Sequence, residues 1–375
     1  MTTAKVKASP LAPVLSGRVA SIDFFRGLTM FLLIGESTGF FGPLNDVNNG
    51  FIKFLGEQLD HHEWHGLHFW DLIQPFFMFI VGVSIPFAVA NRKKKGDSDS
   101  TILKHAWKRS FVLLLLGWIL YNQGSDHIVF KLQNVLAQLS VTYIVAFLIQ
   151  RKSFQFQLIF TLGILLLTDI AYRFFLVDGF NQPWEPFHNL GAWVNIQIEG
   201  TPKTSIWATL NAIPTIAHTV WGVLCGKLLM SEKPTTEKIK LMMIAGVAAL
   251  AIGFGLDLLN ITPIIKKIAT SSFVFASGGW AILGLCLSYW LIDVKGGFDK
   301  LAKPFVIVGM NCIFIYLFFH LGGAGLLLKV FPAFVNTLLG WTGEIMTRLL
   351  TSAAVWASMW YICFWMYKNK IFVKI

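Results

Sequence analysis

Apolar residues along the chain fall into blocks of about 17 to 25 positions separated by short polar stretches. A helix rising 1.5 Å per residue needs about that length to cross a hydrocarbon layer of ~30 Å. A membrane β-barrel would instead alternate polarity over segments of about ten residues. The blocks predict an all-α, polytopic membrane protein with spans near 23–43, 69–90, 107–122, 134–150, 157–176, 205–230, 240–260, 271–293, 304–321 and 346–367. That makes ten transmembrane helices, or eleven if the stretch 323–332 crosses instead of re-entering or lying in the interface. Residues 1–17 are small, polar and weakly basic and read as a disordered cytoplasmic tail, with 18–375 forming one transmembrane domain. The first apolar block is too long for a cleaved signal peptide.

Composition supports this and charge adds the topology. Hydrophobic residues fill 55% of the 375 positions and charged residues 14%, against roughly 25% charge in soluble domains. A net charge of +11 invites a nucleic-acid partner, but the basic residues gather in every second loop. Twenty-two of them lie on one side of the predicted spans and 7 on the other, with Arg26 and Arg173 inside spans. Lys and Arg are retained on the cytoplasmic side, so the charge reads as a topology signal and no nucleic acid is expected. Both termini are then cytoplasmic, and the loop holding His61 lies on the far side, periplasmic in a bacterial inner membrane. Cys225, Cys286, Cys312 and Cys363 all fall inside apolar blocks, so neither a disulfide framework nor a zinc site is expected.

An ionisable residue within a span is costly and points to function by default. Arg26 has Asp23 three positions away, which fits a structural ion pair as well as a ligand contact. Asp169 and Asp257 lie near outer ends, where capping or snorkelling accounts for them. Glu36 sits among Gly35, Ser37, Thr38 and Gly39, a small polar patch, and Asp71 opens the second span. Just before it, His61, His62, His65 and His68 crowd four of nine histidines into eight residues. If the second helix reached back to residue 60, His61, Trp64, His68 and Asp71 would share one face, unless Gly66 breaks it. Three readings compete for this cluster: a zinc site, for which the spacing is weak; interfacial histidines; and a catalytic imidazole acting as base or nucleophile. The outer-loop aromatics, Trp64 among them, suit either an interfacial belt or a stacking surface for a sugar-like substrate.

The run Arg18-Val-Ala-Ser-Ile-Asp23-Phe-Phe-Arg26-Gly27 and the pattern His61-x-x-Trp64-x-Gly66-Leu67-x-x-x-Asp71-Leu-Ile-x-Pro75 resemble the transmembrane acyltransferases of the heparan-alpha-glucosaminide N-acetyltransferase type. The chain is similar in particular to bacterial relatives linked to N-acetylglucosamine utilisation. Asn134 to Tyr143, Asn211-Ala-Ile-Pro214, Gly222-x-x-x-Gly226, Lys266 to Phe273 and Gly309-Met310-Asn311 extend the likeness over roughly residues 18 to 320. The resemblance implies acetyl transfer from cytoplasmic acetyl-CoA, as co-substrate, to an amino sugar at the opposite face. It sets His61 as nucleophile or general base and Asp71 as its acidic neighbour. Glu36, Ser37, Trp64 and Asn311 become candidate acceptor contacts, and Arg26 and Gln138 candidate CoA contacts. It implies no metal; membrane lipid surrounds the protein, and a homodimer is compatible with it. The chain departs from the family at two positions, with Ser37 (after Glu36) where an Asn is usual and Gln138 where the fourth span carries Arg. The rival from another class is a proton-coupled transporter of N-acetylglucosamine or a related solute, with Glu36 and Asp71 carrying protons.

Overall fold

The computed structural model describes residues 19–200, 205–373 and 375, so the expected tail lies outside the described residues. These residues are helical and irregular, and the only β-type pairing among them is an isolated antiparallel bridge between His65 and Ile265. The all-α membrane architecture read from the blocks is the architecture found. The chain divides into two units, one from the described parts of Met1–Phe40 and Gly284–Lys374, the other from Phe41–Leu283.

The second unit is built on a close pair of helices, Ile73–Lys94 and Ile216–Met230. A Cβ added at Gly82 would stand 1.9 Å from the Thr219 carbonyl oxygen, and one at Gly222 2.1 Å from that of Phe79. Lipid tails give no hydrophobic drive to helix association, so close packing across small residues must supply it. Both helices are largely covered by protein, whereas Phe154–Arg173 and Thr235–Leu258 leave most of their apolar surface open, as lipid-facing helices do. Asn134, Ser153 and Asn189 each cap the helix that follows by accepting a backbone N–H with the side chain. Arg92, Lys93 and Lys94 close Ile73–Lys94 at the negative end of its dipole.

Loops of this unit meet in the two groups that the basic-residue alternation predicts. Gly66 donates to the Ile264 carbonyl at 2.9 Å, Trp64 to that of Trp184 at 2.7 Å, and Lys131 pairs with Glu199 at 3.3 Å. In the other group, Arg151 and Lys93 pair with Asp99, and Lys227 donates to the Lys152 carbonyl. The helices Asp99–Tyr121 and Val135–Ile149 each run from one group to the other.

In the first unit, Ala20–Ser37 packs on Asp299–Met310, where a Cβ at Gly27 would stand 1.9 Å from the Phe305 carbonyl oxygen. The Asp293 carboxylate accepts the backbone N–H groups of Ala20 and Ser21 at 2.9 and 3.1 Å, satisfying two of the four orphan donors of that helix.

The expected count of ten spans is not reached. Among the described residues seven helices are long and apolar enough to cross a membrane, or eight if Lys300–Met310 and Cys312–His320, bent by 66° at Asn311, form one span. Helices occupy all three of the missing places, for physical reasons that differ. Ala20–Ser37 carries Asp23, Arg26 and Glu36, Asp99–Tyr121 carries Lys104, Lys108 and Arg109, and Val135–Ile149 has only 15 residues. Gly323–Thr342, where the sequence left open a short interfacial or re-entrant piece or an eleventh crossing, is a full-length apolar helix.

Candidate active site

The segment before Asp71 is not helical. Residues 60–68 run as an irregular loop and helix begins only with the tight turn Phe69–Leu72, so the conditional helical face is not what joins His61 to Asp71. Gly66 supplies the reason. Its φ is +145°, a value that side-chain-bearing residues avoid, and a Cβ there would meet the His62 ring at 2.4 Å. The loop turns at Gly66, bridges to Ile265, and folds His61 back onto the turn that begins the next helix.

There Asp71 is nearly fully buried and its carboxylate is saturated. Oδ2 accepts from the backbone N–H groups of His68 at 2.9 Å and His62 at 3.2 Å, and Oδ1 lies 2.9 Å from His61 Nδ1. An anionic oxygen that close to a ring nitrogen requires a proton between them, so His61 Nδ1–H donates to Asp71. The other nitrogen, Nε2, takes no protein partner among the described residues, and the ring is partly open, at 38% side-chain exposure. Burial holds the His61 imidazole below its usual value; the Asp71 hydrogen bond opposes this and the Lys266 charge reinforces it. At neutral pH the ring is therefore uncharged, with an open nitrogen lone pair.

Lys266 and Lys267 enter from a second loop, on the turn Lys266–Ile268. Lys266 Nζ lies 3.2 Å from His61 Nδ1 and 3.4 Å from Asp71 Oδ1; Lys267 donates to the Glu63 carbonyl. Burial lowers the Lys267 pKa, against the pull of Asp71, Glu63 and Asp60. Asn211 fixes the turn by donating to the carbonyl oxygens of both lysines, at 3.4 and 2.9 Å. The turn closes with Ala269 in the left-handed region at φ +49°. Trp207 covers this group: its ring centroid is 5.5 Å from that of His61, with Lys266 and Lys267 Nζ at 5.4 and 5.9 Å.

Trp64 lies beside this centre, with its indole N–H tied to Trp184 and its ring packed on the buried cluster Tyr172, Ala208, Ile265 and Ile268. His65 Nε2 meets Asp257 at 2.7 Å, and the same carboxylate oxygen accepts from Ile264 N at 2.9 Å. Asp169 accepts from Arg173 and the Thr262 hydroxyl, at 2.6 and 3.0 Å. Asp169 and Asp257 thus hold the lysine-bearing loop in place. Gln138, fully buried, accepts from Gln74, the residue three positions after Asp71, and donates to the Gln133 carbonyl at 3.4 Å; Gln133 in turn donates to Glu199 at 2.8 Å. A neutral amide chain thus fills the place of the family's Arg.

The remaining predicted residues belong to the first unit. Arg26 pairs with Asp23 and donates through Nε to the Gly309 carbonyl at 3.1 Å, the structural ion pair weighed above. Glu36 is exposed, and Ser37 donates to the Ile34 carbonyl at 2.7 Å. Asn311 is fully buried at the 66° bend, where its amide donates to the Ile371 carbonyl and accepts from Val373 N, both at 3.0 Å. Among the described residues no three His, Cys, Asp or Glu side chains converge as a metal site would require. Lys266, Lys267, Trp207 and Asn211 were not singled out as site residues in the sequence. One signal was available: Lys266 and Lys267 are adjacent basic residues on the side from which basic residues are otherwise depleted.

A helical membrane protein with a carboxylate-oriented imidazole in an extramembrane loop has the makings of a membrane-embedded group-transfer catalyst. Residues 18–261, well over half the chain and including His61 and Asp71, match the family described as heparan-alpha-glucosaminide N-acetyltransferase, catalytic, and the chain belongs to that family. Over 96% of its length it is similar to heparan-alpha-glucosaminide N-acetyltransferase of Homo sapiens, at 24% identity, and over the same share to that of Mus musculus, at 25%. The chain spans about 60% of the length of these curated relatives.

Proposed function

We propose that this chain is a membrane acetyltransferase that moves an acetyl group from acetyl-CoA to the amine of a hexosamine. Transfer occurs at the His61 face, periplasmic in a bacterial inner membrane. One observation carries the reading: in a chain of this family, a saturated, buried Asp71 holds His61 with Nδ1 protonated and Nε2 open. In direct transfer the acceptor nitrogen attacks the thioester carbonyl, the C–S bond breaks and a C–N bond forms. His61 Nε2 takes the proton shed by the amine, and the CoA thiolate leaves and is protonated. In the two-step alternative Nε2 attacks the thioester carbonyl, the C–S bond breaks and CoA thiolate leaves. The amine then attacks the acetyl-imidazole, its C–N bond forms as the bond to Nε2 breaks, and the proton it sheds balances the one the thiolate takes up. Trp207 and Trp64 offer the flat apolar faces on which a sugar ring stacks.

The test is CoA release by purified protein given acetyl-CoA with and without glucosamine. His61→Ala is expected to lower the rate by about 10²–10⁴-fold, the range for removing a general acid–base group. Unchanged turnover in that variant would remove His61 from the mechanism, and acetyl-His61 in quenched samples would select the two-step route.

A further inference from the structure

The mechanism above leaves unused the buried ammonium of Lys266, beside the reacting imidazole. Its nitrogen is 3.2 Å from His61 Nδ1 and 3.4 Å from Asp71 Oδ1, and its side chain is 7% exposed. Because Nδ1 already carries the proton given to Asp71, Lys266 is not a hydrogen-bond donor to the ring; its effect there is that of a charge. The placement is built. Asn211 holds the carbonyls of residues 266 and 267, the Ala208 N–H also bonds the Lys267 carbonyl at 2.9 Å, and Thr270 Oγ1 accepts from Ile265 N at 3.0 Å.

We propose that Lys266 is a positioning residue that keeps His61 in its neutral form with Nε2 unprotonated, by opposing the second proton that would make an imidazolium. An Asp–His pair alone would favour the imidazolium, since Asp71 at 2.9 Å stabilises a positive ring. Burial opposes that pull most, and Lys266 adds to the opposition while sharing Asp71 as its own counter-ion. The charged groups acting on His61 are Asp60 from its own loop, Asp71 from the following turn and Lys266 from the lysine turn; His62, Glu63 and His68 share that loop and Lys267 that turn. Of these, Asp71 and Asp60 favour the ring's charged form and Lys266 disfavours it. For a base or nucleophile the consequence is the same: the lysine adds to burial in extending the pH range over which the lone pair is present.

This inference rests on the proposed role of His61 but can be read without turnover. Diethyl pyrocarbonate carbethoxylates only unprotonated imidazole, and peptide mass analysis locates the adduct at His61. In the native protein the labelling rate of His61 should reach half-maximum at a pH below that of an unperturbed histidine. In Lys266→Met the midpoint should move to higher pH, and in Lys266→Arg, which restores the charge, it should return toward the native value. A native midpoint at or above the ordinary histidine range overturns the proposal, and needs no variant to fold. So does a Lys266→Met midpoint that stays put. If the midpoint shifts as expected but no acceptor gives CoA release, the Lys266 assignment stands and the acetyl-transfer reading falls. Acetyl transfer with an unmoved midpoint gives the reverse.

Discussion

Two atoms of one imidazole carry the chemistry proposed for this protein, and Asp71 decides which is which. Its Oδ2 faces two backbone N–H groups and its Oδ1 faces a ring N–H and an ammonium, so every neighbour is a donor. Asp71→Asn places an NH2 group against donors however the amide is turned. It should therefore lose activity by at least about 100-fold, through a misdirected ring and an uncompensated Lys266, as measured by CoA release. The pH profile follows from the same geometry. The working form is unprotonated and the His61 pKa lies below 6.5, chiefly through burial. Apart from the titration of the acceptor amine itself, activity should thus rise as pH increases through that lowered pKa; a His61 limb centred above 6.5, read with the amine's own titration subtracted, would contradict it. His61 and Asp71 were legible in the sequence because they are ten positions apart within one motif. Lys266 was not, because 205 positions separate it from His61 and no local pattern reports a contact closed by two loops.

At the level of elements, the sequence put His61 and Asp71 in one segment, and the condition set on its helical face, that Gly66 not break it, is not met. The helical spacing of His61, Trp64, His68 and Asp71 suggested one face, yet Gly66, with φ at +145°, turns the segment into a loop that makes the His61–Asp71 contact by folding back. Gly66→Ala should test this. A Cβ there would lie 2.4 Å from the His62 ring, and a left-handed backbone costs a non-glycine residue about 1–2 kcal/mol. The variant should melt earlier in detergent and lose turnover beyond its loss of folded protein. The amide chain Gln74–Gln138–Gln133–Glu199 was also illegible, since an Arg-to-Gln departure reads only as a missing charge. In the structure the charge is elsewhere: Lys131 pairs with Glu199 at 3.3 Å, against a carboxylate 1% exposed. Glu199→Ala strands both Lys131 and Gln133, and should cost about 3–5 kcal/mol, as breaking one side of a buried pair does, read from thermal unfolding.

For the molecule as a whole, the ten crossings read from apolar blocks are not confirmed by helix length and hydropathy, while basic asymmetry predicts a side for each loop. Length and hydropathy are separate demands on each helix. Charged turns at the ends of Ala20–Ser37 and Asp99–Tyr121, and the brevity of Val135–Ile149, break one demand or the other without removing the helix. Charge asymmetry instead sums over loops and the helix turns that flank them, so no single residue decides it. In the Phe41–Leu283 unit it predicts Lys53 and Asp178 on the His61 face, and Lys95 and Glu232 on the opposite one. All four positions are exposed, and the native cysteines are buried apart from the half-buried Cys312, so single added cysteines can be read over a low background. With a membrane-impermeant maleimide on sealed cells stripped of their outer envelope, Lys53→Cys and Asp178→Cys should label at once. Lys95→Cys and Glu232→Cys should label only after permeabilisation. Labelling of Lys53→Cys with protection of Asp178→Cys would break the alternation between residues 53 and 178. It would also set the helices Asp99–Tyr121 and Val135–Ile149, which join the two loop groups, against the membrane arrangement on which transfer across the bilayer depends.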